Sequence, residues 1–220
     1  MISWSTGKDS AWAYYKISQQ SEYNVLGLFC TVNKKYARTA MHAVRIELLQ
    51  MQAESIGLPL EIIEIPYPCS NADYEKIMGL FIDKVKVKNI ECFVFGDLFL
   101  EDIRAYREDQ LKDTGITPVF PLWNIPTQKL AKEMIEQGLK AVVTCIDPKQ
   151  IGSQYVGKIF DLEFLESLPE QTDPCGENGE FHSYVYEGPM FNHNINIEIG
   201  EVVERDGFVF ADVVAKTEVS

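Results

Sequence analysis

The sequence predicts an α/β protein: a parallel β-sheet flanked by helices, followed by a smaller C-terminal α+β domain. Short apolar runs alternate with segments of helical period from Ile2 to Phe120, and from Asn194 onward apolar and polar residues alternate as in antiparallel strands. Between the two patterns, Pro121-Leu122-Trp123 with Pro126 forms a proline-rich seam. The chain is therefore expected to divide into residues 1–124 and 125–220.

The first strand is expected over Ile2–Ser5, a helix from about Ser10, and a second strand over Val25–Thr31, which is β-α-β grammar. A helix over 40–56 follows, because Ile46, Leu49, Ala53 and Ile56 share a face and Gly57 is placed to end it. Leu60–Ile65 reads as a strand, 71–88 as a helix and Cys92–Phe95 as a buried strand that stops at Gly96-Asp97. A helix over 101–113 and a fifth strand over Thr117–Phe120 complete the alternation. Beyond the seam come a helix over 127–137 closed by Gly138, a strand over Ala141–Ile146, a strand over Asn194–Ile199 and a hairpin through Asp206-Gly207.

Composition limits the partners. Lys and Arg number 20 against 33 Asp and Glu, a net charge of −13, which argues against broad capture of nucleic acid or of an anionic membrane. The five cysteines (Cys30, Cys69, Cys92, Cys145, Cys175) are scattered with no CxxC pair, the pattern of reduced thiols. Met1–Trp4 leads straight into a glycine loop with no room for a targeting peptide, and no apolar run reaches membrane-spanning length, so the expected location is the cytoplasm. Zinc-type spacings are missing.

Ser5-Thr6-Gly7-Lys8-Asp9-Ser10 lies between the first strand and the first helix, where a glycine turn can wrap a phosphate. Gly7 permits close backbone approach, the helix N-terminus supplies amides, Lys8 neutralises phosphate charge and the serine hydroxyls donate. Asp9 caps the helix or helps to hold magnesium. The spacing is not the Walker pattern, and the simplest alternative is a capped strand-to-helix turn. The loop is expected to lie on the surface and touch little core, so that Lys8→Ala leaves the fold intact.

Three further groups carry chemistry. Gly96 and Asp97 end a buried strand, where ligands gather on parallel sheets. On the next helix Glu101, Arg104 and Glu108 share one face, a pattern equally suited to solvated ion pairs, while Arg107 falls on the apolar stripe of Leu100, Ile103 and Leu111. A cation there needs a partner or a bound anion, and Arg104 and Arg107 are expected to contact phosphate or carboxylate. The loop Asp173-Pro174-Cys175-Gly176-Glu177-Asn178-Gly179-Glu180-Phe181-His182 concentrates glycines, carboxylates, a thiol and an imidazole; it is either a tight turn or a binding loop. Glu177 and Glu180 are the candidates to accept a proton or hold an amine. Cys175 is more simply a buried structural thiol than a nucleophile.

These landmarks, together with Met41-His42, Ile46-Glu47-Leu48, Gly57-Leu58-Pro59, Val94-Phe95-Gly96-Asp97 and Cys175–Phe181, resemble the PP-loop ATP pyrophosphatases of HUP (Rossmann-like) type. Within them the chain is most similar to the diphthine–ammonia ligase family and its bacterial-type relatives, nearly end to end, with Thr6 in place of the family's first loop glycine, a change the loop is expected to tolerate. The resemblance implies a ligase that adenylates a carboxylate with ATP and Mg²⁺, releases pyrophosphate, and lets ammonia displace AMP. It implies that Lys8, Asp9, Glu177 and Glu180 are catalytic, with Asp9 on magnesium. It places Ser5, Thr6, Gly7, Lys8, Asp9, Ser10, His42, Gly96 and Asp97 around the nucleotide, and Arg104, Arg107, Glu108, Cys175, Gly176, Asn178 and Gly179 around the acceptor. The partners it implies are ATP, ammonia, a carboxylate that can be carried on a protein, and a second copy of the chain. Residues 101–108 and 175–182 depart from the diphthine ligase patterns, which leaves the acceptor open. Two other classes stay in view: a PP-loop tRNA-modifying enzyme, disfavoured by the acidic charge, and a non-catalytic adenine-nucleotide-binding regulator, which leaves the 175–182 loop unexplained.

Overall fold

The computed structural model describes residues 1–36, 38–39 and 44–216. Five parallel strands form the frame: β1 (Ile2–Ser3), β2 (Leu28–Asn33), β4 (Leu60–Ile65), β5 (Cys92–Val94) and β6 (Thr117–Val119), with the short antiparallel β3 (Arg38–Thr39) beside the end of β2. Within the sheet β2 pairs with β4 on one edge and β1 on the other, β1 then pairs with β5, and β5 with β6. The connections leave β1 toward β2 and later return to its other side at β5, so strand order reverses between β1 and β5. A crevice opens there at the carboxyl ends of the strands, the place where α/β sheets bind ligands.

Alternation along the strands explains how both faces are covered. Leu28, Cys30, Val32 and Val94 point to one face, against Ala11, Trp12 and Ile17 of α1 (Lys8–Ser18) and Leu49, Ala53 and Ile56 of α2 (Ile46–Ile56). Phe29, Ile63, Phe93 and Phe95 point to the other, against Phe81, Ile82 and Val85 of α3 (Asn71–Lys86) and Leu111 of α4 (Glu101–Leu111). The central strands β2 and β5 are buried on both sides, the usual state of a parallel sheet, while β4 and β6 are only partly covered.

The second sheet is antiparallel, in the order β8 (Phe181–Glu187), β7 (Lys140–Ile146), β10 (Phe208–Ala215), β9 (Ile197–Arg205). Its core joins that of the first: Ala141, Val143, Ile146, Phe181 and Val185 belong to the same apolar cluster as α1, together with Leu130, Ala131 and Met134 of α5 (Thr127–Glu136). α1 is thus held between two sheets, which positions the loop before it. A short helix α6 (Leu162–Ser167) is capped by Asp161, whose side chain accepts from the Phe164 amide at 2.8 Å.

Several boundaries move from their sequence positions. α1 begins at Lys8 rather than Ser10. α2 begins at Ile46, because the Val44 backbone pairs with Thr39 of β3 at 2.9 Å; the expected start at 40–43 lies outside the described residues. Gly57 closes α2 at φ 78°, as expected of a glycine stop. β9 starts three residues later than expected and runs on to Arg205, where Asp206 (φ 54°) and Gly207 (φ 82°) make the turn into β10.

Candidate functional site

The Ser5–Ser10 loop closes on itself. The Ser5 amide donates to Ser10 Oγ at 3.2 Å, Ser10 Oγ donates to the Gly7 carbonyl at 3.0 Å, and the two serine hydroxyls lie 3.0 Å apart. Gly7 is the N-cap of α1 in extended conformation and has no side chain of its own to cap the helix. The positive end of the dipole lies beside the crevice, which suits an anion.

Thr6 is accommodated, but at a conformational cost. It sits at φ 75°, in the left-handed region that a β-branched residue avoids, is fully buried, and its Oγ1 has no hydrogen-bond partner. Its carbonyl is what holds it: the Val185 amide of β8 donates to it at 3.1 Å and Gln52 Nε2 of α2 at 3.0 Å.

Lys8 corrects the expectation that the loop lies on the surface. Its side chain is buried, 1% exposed, with Nζ 2.9 Å from Asp9 Oδ2, donating also to the Cys175 carbonyl, and 5.2 Å from the centre of the Phe181 ring. Burial disfavours the ammonium, but Asp9, Cys175 and Glu177 more than compensate and raise its pKa. Burial raises the Asp9 carboxyl despite Lys8, and Asp9 Oδ1 is buried with no partner. The Lys8 amide donates to Ser183 Oγ of β8 at 3.2 Å, so the second sheet grips the loop through main chain and side chain alike.

A cavity of about 440 Å³ opens at the carboxyl ends of β1, β2 and β5. It is lined by Ser5, Lys8, Asp9 and Ser10 from the loop, by Gly96 and Asp97 beyond β5, and by Gly176 and Glu177 from the loop before β8. Gly96 is required by contact: a Cβ there would lie 2.8 Å from the Asp9 carbonyl carbon and from the Ser10 nitrogen. Glu177 Oε1 accepts from the Leu98 amide at 2.8 Å, and burial lifts its carboxyl to about 7. Arg107 lines the same cavity, stacked 4.9 Å above Phe95, with Nε 3.7 Å from Asp97 Oδ2; burial raises the Asp97 carboxyl against the pull of that guanidinium.

Other expected site residues lie outside the cavity wall. Glu180 is buried and braces its own loop, accepting at Oε1 from the Asp173 amide at 2.9 Å and from Asn178 Nδ2 at 3.0 Å. Gly179 makes the turn at φ 85°. Cys175 contributes its carbonyl to Lys8, while its thiol packs 3.5 Å from the Thr127 carbonyl and burial pushes its pKa up, away from thiolate chemistry. Arg104 pairs with Glu108 at 2.7 Å and stacks on Phe120 and Trp123 at 5.0 and 4.8 Å. His42 lies outside the described residues.

Residues 1–118 match the family profile of the diphthamide synthase N-terminal domain and residues 126–215 that of the diphthamide synthase C-terminal domain. The chain belongs to the diphthamide synthase family. It is similar to the diphthine–ammonia ligase of Homo sapiens, 23% identical over 197 residues that cover 81% of this chain and 70% of that protein. It is 25% identical to that of Danio rerio over 182 residues, 76% of this chain and 71% of the relative. For that of Schizosaccharomyces pombe the identity is 24% over 174 residues, 72% of this chain and 29% of a much longer protein.

Sequence reasoning missed three groups in this diphthamide synthase family chain. Gln52, fully buried on α2, donates to the Thr6 and Val185 carbonyls at 3.0 and 2.6 Å and accepts from Trp4 Nε1 at 2.8 Å. Asp173 Oδ1 shapes the 175–177 turn by accepting from the Cys175 and Glu177 amides at 2.9 and 3.2 Å. Ser183 fixes the helix start. A buried glutamine on an apolar helix face was the available signal for the first. Among the described residues no group of three or more His, Cys, Asp or Glu side chains is arranged to hold a metal ion, and no helix is long and apolar enough to cross a membrane.

Proposed function

We propose that this protein is an ATP-dependent, AMP-forming ligase that adenylates a carboxylate and converts it to an amide with ammonia. The observation that carries the proposal is the convergence, in one cavity, of the Ser5–Ser10 loop, the Gly96-Asp97 strand end and the Glu177 carboxylate. The relatives' name, diphthine–ammonia ligase, supports the same reaction class.

The residues present fit ATP. The helix N-terminus, Ser5 and Ser10 form a cradle for the leaving phosphates, and Gly96 leaves no side chain between that cradle and the β5 end. Magnesium bound with the nucleotide supplies charge neutralisation at the phosphates, and Asp9, with its unpartnered Oδ1, would hold it. Lys8 serves as the fixed cation behind the loop. An acceptor carboxylate oxygen attacks the α-phosphorus, the α–β anhydride bond breaks and pyrophosphate leaves. Ammonia then attacks the acyl carbon, the bond to AMP breaks, and Glu177 takes the proton that nitrogen sheds. Residues 1–124 would serve as the nucleotide-binding part and 125–220 as the part that presents Glu177.

The test is product analysis after incubation with Mg-ATP, ammonium and a pool of carboxylic acids. AMP and pyrophosphate in equal amounts, dependent on an acid, are the expected products. ADP and phosphate would refute α-phosphate cleavage, and bound but intact ATP would favour a nucleotide-sensing protein.

A further inference from the structure

β9 is the outer strand of the second sheet: one side pairs with β10, and among the described residues no strand pairs with the other. It is nine residues long and contains neither proline nor lysine, residues that commonly protect a sheet edge. Two other free edges are closed. β6 is three residues long and carries Pro118, and the free side of β8 is occupied, since the Val185 amide donates to the Thr6 carbonyl and the Tyr186 carbonyl accepts from the Ile195 amide. A bulge at Gly200-Glu201 bends β9, and beyond it Val202–Arg205 run in regular register with Phe208–Ala211. Val202, opposite the buried Ala211, is 56% exposed, and Val203, opposite Phe210, is 43% exposed; the exposed Glu201 and Glu204 flank them. The free edge therefore reads acid, apolar, apolar, acid.

We propose that the outer edge of β9 docks an extended segment of a partner protein, added to the sheet as a fifth strand, whose side chains run basic, apolar, apolar, basic opposite Glu201-Val202-Val203-Glu204. No residue of β9 lines the cavity, and the inference does not depend on the ligase reading.

Charge selects the occupant. An added strand satisfies the free backbone groups of β9 whatever its sequence, so its side chains decide which segment stays. Apolar residues opposite Val202 and Val203 bury both valines, and a lysine or arginine opposite each glutamate supplies the cation that the strand lacks. Arg205, the one cation of β9, is engaged elsewhere: its guanidinium lies 5.0 Å from the Tyr36 ring and 5.0 Å from the Phe210 ring, with its Nε 3.9 Å from Asp206. A second copy of the chain is the poorer partner. Laid antiparallel on the same stretch it sets Glu201 against Glu204 at both ends, and like charges directly opposite destabilise a strand pair. The net charge of −13 on each copy adds to that repulsion.

The test is an NMR titration of the full chain, read at the β9 amides, with a short blocked peptide in which serine and threonine flank a central Lys-Val-Val-Lys. A Glu-Val-Val-Glu counterpart and a version N-methylated at both valines are the controls. The lysine peptide is expected to bind about tenfold or more tightly than either control, and Val202→Lys to weaken it about tenfold. Joint replacement Glu201→Lys and Glu204→Lys is expected to reverse the preference, so that the glutamate peptide binds the better. If a variant fails to fold, the comparison of the three peptides on the native chain still decides. Equal binding of the lysine peptide and its N-methylated version would show adsorption by charge alone and overturn strand addition. An unreversed preference in the folded double variant would place the docking elsewhere and overturn the assignment to β9. No saturable binding of the lysine peptide would overturn it as well, and so would a dimer in sedimentation equilibrium that Val202→Lys dissociates, which would give this edge to a second copy.

Discussion

The Glu177 carboxylate accepts a hydrogen bond from the Leu98 amide at 2.8 Å, tying the loop that precedes the second sheet to the segment that leaves the first. Both forms of the carboxyl can accept that bond, but only the ionised form accepts a proton. Burial sets its pKa at about 7, with Asp9 and Asp97 adding like-charge repulsion and Lys8 opposing it.

Glu177→Gln keeps the acceptor for Leu98 and removes the base. At a fixed concentration of free ammonia, amide formation in the native protein is expected to rise with pH through about 7, the region where Glu177 ionises. The glutamine variant is expected to lose roughly 10²-fold in rate, and that limb of the profile with it. The stability sign is opposite. A carboxyl whose folded pKa is raised contributes stability that is fully present below its unfolded value and lost as pH rises through about 7, so Tm should fall over that window in the native protein and less steeply in the variant. Parallel Tm profiles would refute the assignment.

Lys8→Ala is expected to destabilise the fold as well as weaken nucleotide binding. The substitution leaves Asp9 and the Cys175 carbonyl without their cation and opens a void beside Phe181, and breaking such a buried pair costs about 3–5 kcal/mol. Urea unfolding of Lys8→Ala and Lys8→Met checks it. Methionine restores the volume and not the charge, so equal losses in the two would assign the cost to the charge. A change below about 1 kcal/mol in both would place the lysine outside the core.

Much of this architecture is legible in the sequence, and what is not has a common cause. Leu60–Ile65 and the Gly57 stop show their structure locally, because a β-branched run and a left-handed helix end need no distant partner. Arg107 is legible for the same reason: its place on an apolar stripe follows from helical period alone. Lys8 looks like a surface cation because its neighbours Phe181 and Cys175 lie more than 160 residues away in the chain. The second half of β9 was obscured because it is an edge strand whose Val202 and Val203 are both exposed, so no buried face imposes a period of two.

Thr6→Gly is expected to leave stability unchanged or improve it, unlike most truncations of a buried residue. Threonine at φ 75° costs about 1–3 kcal/mol, and its orphaned hydroxyl adds to that. Against this stand the lost methyl contact and the about 0.5–1 kcal/mol that glycine's backbone freedom adds to the unfolded chain. A loss above about 2 kcal/mol in chemical unfolding would show that the side chain packs better than its backbone is strained.

Gln52→Leu tests whether the grip of the second sheet on the phosphate loop is specific. The glutamine accepts from Trp4 Nε1 and donates to the carbonyls of Thr6 and Val185, so leucine leaves an indole N–H unpaired in the core and removes the side-chain tie between the loop and β8. Each unsatisfied buried group costs about 1–3 kcal/mol, so a loss of several kcal/mol is expected. The Val185 amide still donates to the Thr6 carbonyl at 3.1 Å and holds the loop near its place. Residual folded Gln52→Leu should therefore bind nucleotide, with affinity lowered because the loop is no longer clamped from both sides. Hydrogen exchange at the Thr6 to Ser10 amides reports this directly. Faster exchange there with unchanged exchange in β7 would locate the effect in the clamp, whereas faster exchange everywhere would mean that Gln52 supports the whole core and does not position the loop.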